Sequence, residues 1–93
     1  MVQTGSMKTY DGEKLEYDIL DDAEIICEYD KGKKYKKLIR KIRYHDDNEI
    51  GYIFGYYYWD IKNKYWRWGQ RPLVISQDET EELLKKARDK GFF

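Results

Sequence analysis

Apolar and polar residues alternate through residues 14–19, where Leu15, Tyr17 and Ile19 are separated by Glu16 and Asp18. This is the period of a half-buried strand. Leu20, Asp21 and Asp22 predict a turn, and residues 23–29, rich in strand-forming side chains, predict a second strand. Residues 30–33 predict a hairpin turn in which Gly32 supplies the positive φ. Residues 34–44 carry two periods at once. Tyr35, Leu38, Ile39 and Ile42 fit a helix face, whereas Leu38, Arg40, Ile42 and Tyr44 alternate as in a strand. The glycine turn before the segment and the mutual repulsion of its lysines on an isolated helix favour the strand.

After a polar loop at residues 45–48, residues 49–59 form the plainest strand. Alternation puts Gly51, Ile53, Gly55, Tyr57 and Trp59 on one face and Tyr52, Phe54, Tyr56 and Tyr58 on the other. A strand apolar on both faces is expected inside the sheet and covered on both sides, because an exposed edge of this composition pairs with other chains. Residues 60–64 predict a hairpin connection with Asn63 in the left-handed conformation. That register sets Asp60 opposite Lys64, Trp59 opposite Tyr65, Tyr58 opposite Trp66 and Tyr56 opposite Trp68. Residues 73–75 form a short apolar segment after Pro72, the only proline.

The chain closes with a helix. Ser76 and Glu79 have the spacing of a capping box. Acidic residues crowd the first turns and Lys85, Lys86, Arg88 and Lys90 the last, as the helix dipole favours. Thr80, Leu83, Leu84 and Ala87 form its apolar stripe, and Gly91 is placed to stop it, with Phe92 or Phe93 folding back on Leu83 or Leu84. The expected fold is therefore α+β: a small antiparallel meander of four to five strands with one C-terminal helix packed on one face. Residues 1–6 read as a disordered leader, and residues 7–93 as a single globular domain.

Charge sums to zero, with 18 basic and 18 acidic residues, but it is segregated. Residues 1–30 hold nine acidic and two basic residues, and residues 31–45 hold eight basic and no acidic ones. Residues 46–60 are acidic and 61–76 basic again. Adjacent antiparallel strands produce such blocks when opposite charges face each other across the ladder. Aromatic residues make up 17% of the chain, too many for a disordered segment. Cys27, the single cysteine, excludes an internal disulfide and sits in an apolar run as a small buried hydrophobe. The longest uncharged run, residues 50–59, is too short to span a bilayer, and the expected location is cytoplasmic.

Catalytic chemistry finds little support. A phosphate-binding glycine loop, a zinc-ligand set and a Ser-His-Asp triad are all missing from the sequence. His45 beside Asp46, Asp47 and Glu49 is the one cluster that suggests a metal-dependent hydrolase, with His45 and Asp47 as its residues, and a polar turn accounts for it as well. No catalytic residue, metal or cofactor is expected.

Recognition has more material. One 14-residue helix is too small to cover both faces of such a sheet, so an aromatic face must be curled on itself, buried in an oligomer or used for binding. The favoured expectation is an interaction module for a protein partner or a second copy, using Tyr56, Tyr58, Trp66, Arg67 and Trp68. The alternative is single-stranded nucleic acid, with bases stacked on the same aromatics and phosphates held by Lys34, Lys36, Arg40 and Arg43. No membrane partner is expected.

Overall fold

The computed structural model describes residues 3–9 and 11–93. Five antiparallel strands form one meander in chain order: β1 (Gln3–Lys8), β2 (Lys14–Tyr29), β3 (Lys33–Tyr44), β4 (Ile50–Asp60) and β5 (Tyr65–Trp68). A helix, α1 (Gln77–Asp89), follows. Residues 1 and 2 of the segment read as a leader lie outside the described residues. Its remainder, residues 3–6, pairs with β2.

Residues 34–44 are strand, as the glycine turn implied. The turn itself is a short 3-10 segment with Lys31 and Gly32 both at positive φ, 63° and 73°. Across β2 and β3 the charge blocks meet residue by residue: Asp18 opposite Arg43, Asp22 opposite Arg40, Glu28 opposite Lys34. All three register pairs are ion pairs.

The turn expected at residues 20–22 is instead a β-bulge inside one long strand. Ile19 pairs with Ile42 and Asp21 with Lys41, so Leu20 is the extra residue. The bulge changes which face the odd-numbered residues occupy. Tyr17 and Ile19 lie on the face turned away from the helix, and Ala23, Ile25 and Cys27 lie beneath it. One continuous alternation thus serves two cores on opposite sides of the sheet.

The helix-side core joins Ala23, Ile25, Cys27 and Ile39 to Leu83, Ala87 and Phe92, with Tyr52, Ile75 and Leu84 around it. The capping box forms as the sequence implied, with Ser76 Oγ accepting from the Glu79 N–H at 3.1 Å. At the other end Gly91 has φ 77°, and the Phe92 N–H donates to the Ala87 carbonyl at 2.9 Å, which folds Phe92 back into the core. Lys86 and Lys90 tie the last turns to β2 through the Glu24 and Asp22 carbonyls.

Among the described residues no second layer covers the opposite face, yet Leu38, Ile42 and Tyr17 are buried there. The sheet curls into a half-barrel and covers this face with its own aromatics. Trp68 lies across Gly55 and Tyr44 across Gly51, each ring in space that a Cβ would fill. Trp59 meets Trp66 edge-on, with ring centroids 5.3 Å apart, and Tyr57 meets Trp68 at 5.0 Å.

The β4–β5 register differs by one residue from the expected one. Tyr57 is opposite Trp68, Tyr58 opposite Arg67, Trp59 opposite Trp66 and Asp60 opposite Tyr65. The connecting turn has four residues, and Lys64 rather than Asn63 takes the positive φ, 59°. Asn63 instead binds the Asp60 carboxylate through its backbone and side-chain nitrogens. The expected interior position of β4 holds over only part of its length. β5 flanks Tyr57 to Asp60, and among the described residues no strand lies along the outer side of the preceding ones.

Candidate functional site

The helix is 13 residues long, or about 20 Å, against a longest molecular dimension of 43 Å. It begins beside Lys37, midway along β3, and leaves the turn-proximal ends of β2, β3 and β4 uncovered. A node of three side chains marks that boundary. Lys37 Nζ donates to Glu79 Oε1 and to the Tyr29 hydroxyl, both at 2.8 Å, and the Tyr29 hydroxyl donates to Glu79 Oε2 at 2.7 Å. Glu79 Oε1 also accepts the Ser76 N–H at 3.0 Å, so one carboxylate caps the helix and pins it to the sheet.

Lys37 is 5% exposed, and an ammonium at that depth requires a partner. The Lys37 hydrogen bond holds the Glu79 carboxyl well below its ordinary value. Burial pulls the Lys37 ammonium down, but the bonds from Glu79 and Tyr29 together outweigh it and leave the group raised. Burial, reinforced by Glu79, pushes the neighbouring Cys27 thiol up to about 11, which leaves it protonated and unreactive.

Beyond the node, tyrosines from three strands stand in a row. Tyr29 and Tyr35 have ring centroids 5.6 Å apart, and Tyr35 and Tyr56 6.1 Å. The segment from Pro72 to Val74 crosses beside them on its way to the helix. Together these groups enclose a cavity of about 440 Å³, with Lys33 and Lys37 at its margin. That is the size of small-ligand or side-chain pockets. Val74 flanks it while 80% exposed. A wider cleft of about 880 Å³ shares Tyr35 and Tyr56 and continues past Tyr58, Tyr65 and Arg71.

The five residues of the favoured sequence reading, Tyr56, Tyr58, Trp66, Arg67 and Trp68, all line that wider cleft. They do not form one aromatic column. Tyr58 and Arg67 share the helix-side face with Tyr56, whereas the Trp66 and Trp68 rings pack inward against Trp59 and Tyr57. Arg67 is held by Asp60 at 3.2 Å and by the Tyr65 hydroxyl at 2.6 Å.

The residues of the nucleic-acid reading are dispersed. Lys34, Lys36 and Arg40 belong to the face away from the helix, and Arg43 to the helix side. Arg40 is clamped by Asp22 at 2.8 and 2.9 Å and lies over the Trp68 and Tyr57 rings. Arg43 pairs with Asp18 and Lys34 with Glu28. Lys36 sits over the Trp66 ring at 4.7 Å.

His45 and Asp47 do not converge. His45 Nε2 is 2.8 Å from Asp18, and Asp47 accepts the Glu49 N–H within the loop. Among the described residues no group of three His, Cys, Asp or Glu side chains is placed to hold a metal ion, and no helix is long and apolar enough to cross a membrane.

Sequence reasoning missed Tyr29, Tyr35, Leu73 and Val74 as lining residues. A signal for two of them was present. Tyr29 and Tyr35 bracket a tight turn at a separation that puts both on one face of the hairpin. Comparison of the chain with protein-family models, with curated proteins and with solved structures finds no match.

Proposed function

We propose that this is a non-enzymatic interaction module that takes an extended segment of a partner protein into the tyrosine-lined groove at the N-terminal end of α1. The observation that supports the reading most is the row of Tyr29, Tyr35 and Tyr56, left uncovered by the helix and walled by Leu73 and Val74. Tyrosines supply large, rigid contact area at low entropic cost and a hydroxyl for hydrogen bonding. Extended and proline-rich segments dock in such aromatic grooves.

The electrostatics favour polypeptide over a phosphate backbone. Lys37 and Arg67 are occupied by Glu79 and Asp60, while Lys33 and Arg71 line the margins without a carboxylate partner among the described residues. Nucleic-acid grooves need several free cations along the strand. Lys33 and Arg71 suit a segment bearing one or two carboxylates beside its apolar anchor. A cytoplasmic setting belongs to this reading, and the single, buried Cys27 supports it.

The test is selection from a random peptide library, followed by affinity measurements on the Tyr35→Ala and Tyr56→Ala variants. Each variant should weaken the selected peptide by about tenfold or more, equivalent to ~1.4 kcal/mol. Unchanged affinity in both variants, or tight salt-sensitive binding of a single-stranded oligonucleotide instead, overturns the reading.

A further inference from the structure

β4 ought to be flanked on both sides, and the described residues flank only half of it. The Gly69 N–H donates to the Tyr56 carbonyl and the Lys64 N–H to the Asp60 carbonyl, so even-numbered residues of β4 direct their backbone groups toward β5. By the alternation of an antiparallel ladder, the odd-numbered residues face β3, and Tyr52 and Phe54 present N–H and C=O groups to the lane that β5 leaves empty. Ile50 and Phe54 are 45% and 55% exposed beside that lane. The stretch contains no charge, proline or bulge, the usual guards of a free edge. The outer edge of the sheet at β1 is different, with Gln3, Thr4, Ser6 and Lys8 along it.

We propose that the open half of β4 pairs with the same strand of a second copy, joining two sheets across a two-fold axis at Tyr52. This interaction is separate from the tyrosine groove. A partner β4 running antiparallel lies in the lane and direction of β5 and fills it where β5 ends. Pairing Tyr52 with its own copy sets Ile50 against Phe54, both with outward backbone groups, so the apolar side chains exposed at the edge bury each other. The uncharged run meets itself without repulsion, and Glu49 falls opposite Gly55 rather than opposite another acid. The next residue, Asn48, has φ 59° and turns the chain away, before it reaches the position held by Gly69. The geometry of each end thus limits the ladder to the residues left bare.

Sedimentation or light scattering over about a hundredfold range of concentration tests this by mass action. The mass should rise from 11.4 kDa toward twice that value. Phe54→Lys, at an exposed position, should hold the mass at that of one chain at every concentration with an unchanged circular dichroism spectrum. Thr4→Lys on the other edge and Tyr35→Ala in the groove should leave association intact. In a Cys27→Ser background, Ile50→Cys with Phe54→Cys should oxidise to a covalent dimer, because paired strand positions lie about 5.5 Å apart between Cα atoms, within disulfide reach. A wild-type chain that stays monomeric throughout, a Phe54→Lys variant that dimerises equally well, or failure of the cysteine pair to cross-link overturns the proposal.

Discussion

Lys37 Nζ and Glu79 Oε1 meet at 2.8 Å, joining the middle of β3 to the first turn of the helix, with both side chains largely buried. Removing one partner strands the other, so Glu79→Gln should cost about 3 kcal/mol at neutral pH. The contact also sets a pH dependence. The folded chain holds the Glu79 carboxyl below its ordinary 4.5, so the unfolded chain takes up the proton first as pH falls. The contribution is complete above that value and is lost on acidification below it. Urea denaturation of wild type and variant should therefore show a stability gap that is wide at neutral pH and narrows in acid. A gap independent of pH would contradict this account of the node.

Deletion of Leu20 tests the bulge. Without the extra residue, Ile19 opposite Ile42 and Asp21 opposite Lys41 become successive pairs of a regular ladder, so Tyr17 and Ile19 keep the face turned away from the helix and Ala23, Ile25 and Cys27 keep the helix face. A cooperative thermal transition is expected to survive the deletion. Leu20→Ala, which keeps the extra residue and changes a side chain already 37% exposed, should shift stability by no more than about 1 kcal/mol. Loss of the cooperative transition in the deletion variant would contradict a register in which Leu20 alone is the extra residue.

Gly55→Ala probes the inner face. The added Cβ meets the Trp68 ring, which also shields Arg40, so the ring must leave. A destabilisation of about 1–3 kcal/mol is expected, with a red-shifted tryptophan emission as Trp68 enters solvent. An unshifted spectrum with full stability would mean that the ring is not held over Gly55.

The meander, the helix and its caps were legible because each rests on local rules: alternation, glycine turns and the Ser76–Glu79 spacing. The ion pairs between β2 and β3 were legible as charge blocks, since a hairpin places one block opposite the other. The bulge was not, because Leu20, Asp21 and Asp22 carry the composition of a turn, and only the two cores on either side demand a continuous strand. The β4–β5 slip has a similar origin. Asn63 is a good left-handed residue, but here its side chain is engaged by Asp60 and the positive φ passes to Lys64. That one-residue difference separates Trp66 and Trp68 from Tyr56 and turns an expected aromatic column into two surfaces. The groove depends on where the helix begins over the sheet, a tertiary fact that no local pattern encodes.

The most direct test of the groove is an amide chemical-shift map of the labelled protein with a library-selected peptide. The account predicts shifts at Tyr29, Tyr35, Tyr56, Leu73 and Val74, with Leu38, Trp59 and Trp66 unmoved. A peptide that instead shifts Trp59 and Trp66 and leaves the tyrosine row unchanged would contradict it.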